Sequence, residues 1–124
     1  MVGSQSYRDL IVWQKSIALC VQVYKVCEVF PKSELYGLAD QMKRAAVSIS
    51  SNIAEGQGRQ HTKEFLHFAS IANGSLAELD TQRILAENLN FVSPEASASL
   101  DERITEVRKM LYALRAKLKT SAEN

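Results

Sequence analysis

The run SPEASASLDERITEVRKMLYALRAKL, residues 93–118, decides the fold class. Ser93 offers a capping hydroxyl, Pro94 takes the first helical position, where no N–H is missed, and Glu95 puts an acid in the first turn, where the helix dipole favours it. Leu100, Ile104, Val107, Leu111, Leu114 and Leu118 then recur at alternating four- and three-residue steps. That period predicts a long helix with a coiled-coil-like inner face.

Working back along the chain, Thr62 can cap a third helix. Glu64 lies in its first turn, and Phe65, Phe68, Ala72, Leu76 and Leu79 form its inward face. Ser33 can cap a second helix carrying Leu35, Leu38, Met42, Ala45, Ile49 and Ile53, which Gly56-Gln57-Gly58 would stop. Leu10, Trp13, Ile17, Cys20, Tyr24 and Cys27 give the first helix its core face, and Pro31 ends it. The same segment also holds Ile11, Val12, Leu19, Val23, Val26 and Val29. One stripe cannot hold so much apolar surface, so Ile11, Val12, Leu19, Val23 and Val26 are expected to contact other subunits.

Helices at about 9–30, 34–56, 62–89 and 94–120, joined by short connections, must run antiparallel to their neighbours. The expectation is an all-α, up-down-up-down four-helix bundle over residues 7–121, after a short disordered lead at 1–6. With 124 residues, two prolines and five glycines, the chain fits one domain rich in long helices. The net charge of +1 gives no bulk attraction for polyanions, so any such role must rest on a local patch. Cys20 and Cys27, on one helix, would lie roughly 10 Å apart, beyond disulfide reach, and read as buried thiols. There is no basic-then-apolar leader and no apolar run of membrane-spanning length, which predicts a cytoplasmic protein with no membrane partner.

Catalytic constellations are missing from the pattern, and no enzyme, cofactor or small-molecule substrate is expected. Glu64-x-x-His67 is half of a carboxylate-bridged di-iron motif without its second copy. Gly56-x-Gly58-Arg59 follows no strand and lacks the ending of a phosphate loop. Arg44, Ser48, Ser51 and Glu55 fall on one stripe of the second helix, with Asn52 and Arg59 beside it, and Ser75, Glu78 and Gln82 make a comparable stripe on the third. Polar groups aligned inside a bundle need partners, which favours a network fixing register over a ligand pocket, with Arg44 or Arg59 paired to Glu55 or Glu78. Gly74, in mid-helix, is expected to permit a close helix approach.

The basic stripe is on the fourth helix, where Arg108, Tyr112, Arg115 and Lys119 share a face and Lys109 stands beside them. Between Arg108 and Lys119 there are five basic residues and no acid. Its two readings are a solvated face that complements the helix C-terminus and a nucleic-acid contact. Arg59 and Lys63, flanking the start of the third helix, are further anion candidates.

The stretches LIVWQK (residues 10–15), RAAVSISSNIAEG (44–56) and IANGSLAEL (71–79) closely resemble the 23S ribosomal RNA intervening-sequence protein family. So do Phe30-Pro31 with Glu34 and Gly37-Leu38, Gly58-Arg59 and Glu64-Phe65. The resemblance implies a four-helix bundle assembled as a ring of five subunits. More distantly the chain is similar to the accessory variability proteins of diversity-generating retroelements, strongly basic relatives that share the ring and bind a reverse transcriptase and nucleic acid. The combined expectation is a homopentameric interaction module that contacts RNA, DNA or a nucleic-acid-handling protein. The alternative is a structural scaffold for a protein partner without nucleic-acid affinity.

Overall fold

A computed structural model describes residues 6–123. Among them lie α1 (Ile11–Cys27), α2 (Leu38–Gln57), α3 (Thr62–Asn88) and α4 (Pro94–Glu123), with single 3-10 turns at Tyr7–Asp9 and Lys32–Glu34 and no strand. The side-chain contacts fix the directions. Cys27 lies against Ala39, Ser48 against Ser75 with Gly56 against Phe65, Arg115 against Ser70, and Lys15 against Glu106 with Gln22 against Ser99, so every sequential pair, and the closing α1–α4 pair, is antiparallel. Helices touch around the ring of the bundle and not across its diagonals. This is the up-down-up-down four-helix bundle that the spacing predicts. Of the short lead, only Ser6 falls within the described residues, and its hydroxyl accepts from Arg8 N–H.

Core residues of α2 and α4 follow the predicted stripes. Leu38, Met42, Ala45, Ile49 and Ile53 are buried on α2, and Leu100, Ile104, Val107 and Leu111 on α4. Leu35, by contrast, lies before α2 and is exposed. On α3, Ala72, Leu76 and Leu79 are buried, while Phe65 and Phe68 are only partly so.

The first helix departs from expectation. Its buried positions are Val12, Ser16, Leu19, Val23 and Cys27, a stripe displaced by about one residue from the predicted one. Leu19 and Val23 are wholly enclosed by the chain's own core and Val12 nearly so, so these three cannot be subunit contacts. Val26 is half-buried against the same core, and of the five candidates Ile11 alone remains exposed. Ile17 and Tyr24, predicted inward, point to solvent, as does Val21. Ser16 shows how the displaced stripe is tolerated. It occupies the inner stripe at 0% exposure and hides its polarity by donating to the Trp13 carbonyl at 2.7 Å, while apolar residues occupy both sides of the helix.

The same device recurs in every helix. Ser50 donates to the Val47 carbonyl, Ser75 pairs with Ser48 at 2.8 Å, and Ser97 accepts from Arg83 at 3.0 Å. Each helix thus buries one serine whose hydroxyl is partnered, as a low-dielectric interior requires.

Helix starts also differ. Ser33 sits within the 3-10 turn, and α2 begins four residues beyond the expected start, where the Glu34 carboxylate accepts from Leu38 N–H at 3.1 Å. Thr62 is the first residue of α3, and the capping position belongs to His61. Ser93 caps α4 as predicted, accepting from Ala96 N–H at 3.1 Å. At one end of the bundle Phe30 and Phe91 pack with ring centroids 5.6 Å apart, tying the α1–α2 and α3–α4 connections together.

Glycine roles are exchanged relative to expectation. A Cβ on Gly74 would meet nothing within 4 Å, whereas one on Gly56 would lie 2.8 Å from Phe68 Cβ and 2.9 Å from Phe65 Cδ1. The close α2–α3 approach is therefore at Gly56. The left-handed turn that reverses the chain after α2 is made by Gln60 (φ 67°), and Gly58 keeps an ordinary helical conformation.

Candidate nucleic-acid interface

The polar residues of α2 and α3 separate into distinct sets. Ser48 and Ser75 form the seam, and Asn52 donates to both the Ser48 carbonyl and its hydroxyl at 2.8 and 2.9 Å. That set is structural glue between α2 and α3. Arg59 pairs with Glu55 at 2.8 Å, one of the expected pairings, and its guanidinium lies 5.0 Å from the Phe68 ring centre. Arg44 instead pairs with Asp40 at 2.9 Å, a hydrogen bond that strengthens its hold on the proton, and its side chain is 79% exposed. Ser51 and Glu78 are exposed and join none of these contacts. Gln82 reaches toward this seam, and its carbonyl oxygen is buried without a partner.

Sequence reasoning missed the charge cluster that joins α3 to α4. Arg83, with 11% of its side chain exposed, pairs with Asp80 at 2.9 Å and Asp101 at 3.4 Å and donates to Ser97. Arg108 meets the other Asp80 oxygen at 3.2 Å. The signal lay in the i,i+3 spacing of Asp80 and Arg83, but only the pairing of α3 with α4 brings Asp101 and Arg108 to them. Arg108, the first member of the predicted basic stripe, is thereby neutralised.

The rest of that stripe stays open. Arg115 donates to Ser70 across the α3–α4 seam at 3.4 Å, and Lys119 lies one turn further along. Together with Tyr112, a residue 73% exposed, they line a half-open groove of about 400 Å³. Leu66 and Ala116 give it apolar patches, Ser70 and Thr120 hydroxyls, and Glu123 its acidic far end. Lys63, Lys109 and Lys119 make no ion pair among the described residues, and Lys109 stands outside the groove. Antiparallel packing gathers Lys63 and Arg59, at the α2–α3 turn, to the same end of the bundle as Arg115, Lys117 and Lys119. Glu28, Glu34, Glu87 and Glu95 gather at the other end. A net charge of +1 thus conceals a bundle with one basic and one acidic end.

Burial raises the Cys27 thiol to about 11, an effect that Lys43 partly offsets, and raises that of Cys20 as well. Cys27 is buried and donates to the Ala39 carbonyl, whereas Cys20 is only half-buried. Among the described residues no three His, Cys, Asp or Glu side chains converge as a metal site needs, and no helix is long and apolar enough to cross a membrane.

Comparison with solved structures finds the same fold. A crystal structure of a protein with unknown function from the S23 ribosomal protein family of Bacteroides thetaiotaomicron superposes with a TM-score of 0.77 at 23% identity, covering 85% of this chain and 98% of that one. No protein of curated function matches. The family described as 23S rRNA-intervening sequence protein matches residues 8–113, from the turn before α1 to two residues short of Arg115. Over that span, which holds all of α1, α2 and α3 and two-thirds of α4, the chain belongs to the 23S rRNA-intervening sequence protein family.

Proposed function

We propose that this protein is a non-enzymatic, homo-oligomeric binding module, pentameric as the family resemblance implies, that takes a polyanionic partner, RNA or DNA, on its basic end. The observation that carries the reading is the distribution of cations. Arg83 and Arg108 are spent on acids between α3 and α4, whereas among the described residues Lys63 and Lys119 have no acidic partner and Arg115 contacts the Ser70 hydroxyl instead of an acid. Cations free of acids are those a phosphate backbone can use, and copying one weak patch around an assembly multiplies its avidity.

Self-association is supported by the outer side of the α1–α2 seam, where Ile17, Val21, Tyr24 and Val47 are exposed together. Lys43, which lies 5.1 Å from the Tyr24 ring centre, borders this strip. The same strip supports the second reading, a scaffold for a protein partner with no nucleic-acid affinity.

Two measurements test the proposal. Mass in solution should exceed that of the monomer. Affinity for an unrelated oligonucleotide should fall steeply with salt, by about 0.7 to 0.9 logarithmic units per decade for each phosphate contact. A protein that holds no oligonucleotide even at low salt is a scaffold instead.

A further inference from the structure

The basic end has a shape as well as a charge. We infer that the α3–α4 groove takes a single strand of nucleic acid, with a base stacked on Tyr112 and the backbone phosphates on Arg115 and Lys119. This inference rests on the polyanion reading and narrows it.

Tyr112 is the aromatic residue of the groove and is mostly in water, although Leu66 and Ala116 offer apolar surface in the same lining. Holding a large ring out of the core costs burial that α4 obtains at Leu111, the preceding residue. An exposed ring flanked by cations is the arrangement that captures unpaired bases, because each base offers a π-face without regard to sequence. A duplex keeps its base faces stacked internally and presents only phosphates to a convex surface, so it could use Arg115 and Lys119 but not Tyr112.

The spacing supports a strand lying along α4. Tyr112 precedes Arg115 by three residues and Lys119 follows it by four, so the three side chains are successive neighbours on one face, about 5–6 Å apart at their Cβ atoms. Arg115 Nε makes a long, 3.4 Å contact with the Ser70 hydroxyl from the α3 side, and the residue lines the groove. The polarity of the track also has limits. Arg108 is occupied by Asp80 on one side, and Glu123 would repel phosphate on the other. The strand contact is therefore short, with Lys63 on the neighbouring first turn of α3 as the next cation available. Arg115 and Lys119 lie beyond the segment that the family match covers, whereas Leu66, Ser70 and Tyr112 of the same groove lie within it.

The test is fluorescence anisotropy of labelled oligo-dT and oligo-U against a duplex of equal length, at several salt concentrations, with folding of each variant checked by circular dichroism. The expected result is tighter binding of both single strands than of the duplex. Tyr112→Ala should weaken the single strands about fivefold or more, while Tyr112→Phe, which keeps the ring, should not. The double variant Arg115→Ala, Lys119→Ala should flatten the single-strand salt slope by about 1.4. Equal binding of duplex and single strand, together with an unaffected Tyr112→Ala protein, would overturn the inference and leave the polyanion reading standing. Absence of binding to all three probes at low salt would overturn both.

Discussion

Replacing Gly56 and Gly74 separately by alanine isolates the steric cost of the α2–α3 contact. Both glycines are helical and neither has a positive φ, so each substitution gains helix propensity, about 1 kcal/mol at Gly74 in the middle of α3 and less at Gly56, the last residue but one of α2. At Gly74 the new methyl group meets nothing within 4 Å, and the whole gain should appear as stability. At Gly56 the methyl carbon would sit 2.8 Å from Phe68 Cβ and 3.3 Å from the Phe65 carbonyl oxygen. The Phe65 ring can rotate away, but Phe68 Cβ is bonded to the α3 backbone and yields only if the helix shifts. Overpacking of this kind costs about 1–3 kcal/mol. Gly56→Ala should therefore be neutral or up to about 3 kcal/mol less stable than the parent, and at least about 1 kcal/mol less stable than Gly74→Ala. For a domain of this size the two thermal midpoints should differ by at least about 4 °C. Urea denaturation at one fixed protein concentration measures the difference without the confounding effect of assembly. Equal stabilisation by the two alanines would refute the close approach at Gly56.

Three further outcomes follow from the same geometry. Arg83→Ala leaves the enclosed Ser97 hydroxyl without its donor and Asp80 with Arg108 alone, and should cost about 1–3 kcal/mol in denaturation, whereas Arg44→Ala, at an exposed i,i+4 pair, should leave the denaturation midpoint essentially unchanged. Because burial raises the folded-state thiol of Cys27 from 9.0 to about 11, its contribution is complete below pH 9 and lost as pH rises toward 11. A stability profile over that window should flatten in Cys27→Ala, and a thiol reagent should modify Cys20 well before Cys27. Ser93→Ala removes the hydroxyl that accepts from Ala96 N–H and should lower stability by about 1 kcal/mol, read as a shift in the urea midpoint at unchanged slope.

The candidate interface was only partly legible in the chain. The stripe Arg108, Tyr112, Arg115 and Lys119 follows from helical spacing, and the structure places all four along the α3–α4 seam. Which of these cations remain open does not follow from spacing. Asp80 lies 28 residues from Arg108, and nothing local says that it reaches across to it. The polar residues of α2 behave alike: the i,i+4 pair of Arg59 with Glu55 is readable, while the seam between Ser48 and Ser75 needs α3.

By itself the sequence determined the number of helices, their order and their antiparallel course. Those depend on local quantities, namely period, caps, proline positions and loop lengths, which act over a turn or two of chain. It also determined the inner faces of α2 and α4, where apolar and polar residues fall on opposite sides. The tertiary structure alone decided the face of α1. There Val12, Leu19 and Val23 compete with Ile17 and Tyr24 on nearly equal hydrophobic terms, and the bond from Ser16 to the Trp13 carbonyl lets the stripe that contains a serine be the buried one. It alone decided that Gly56 rather than Gly74 meets a neighbour, and that a nearly neutral chain has a basic end. Each of these depends on which helix lies alongside, a relation between residues distant in sequence that no local pattern encodes.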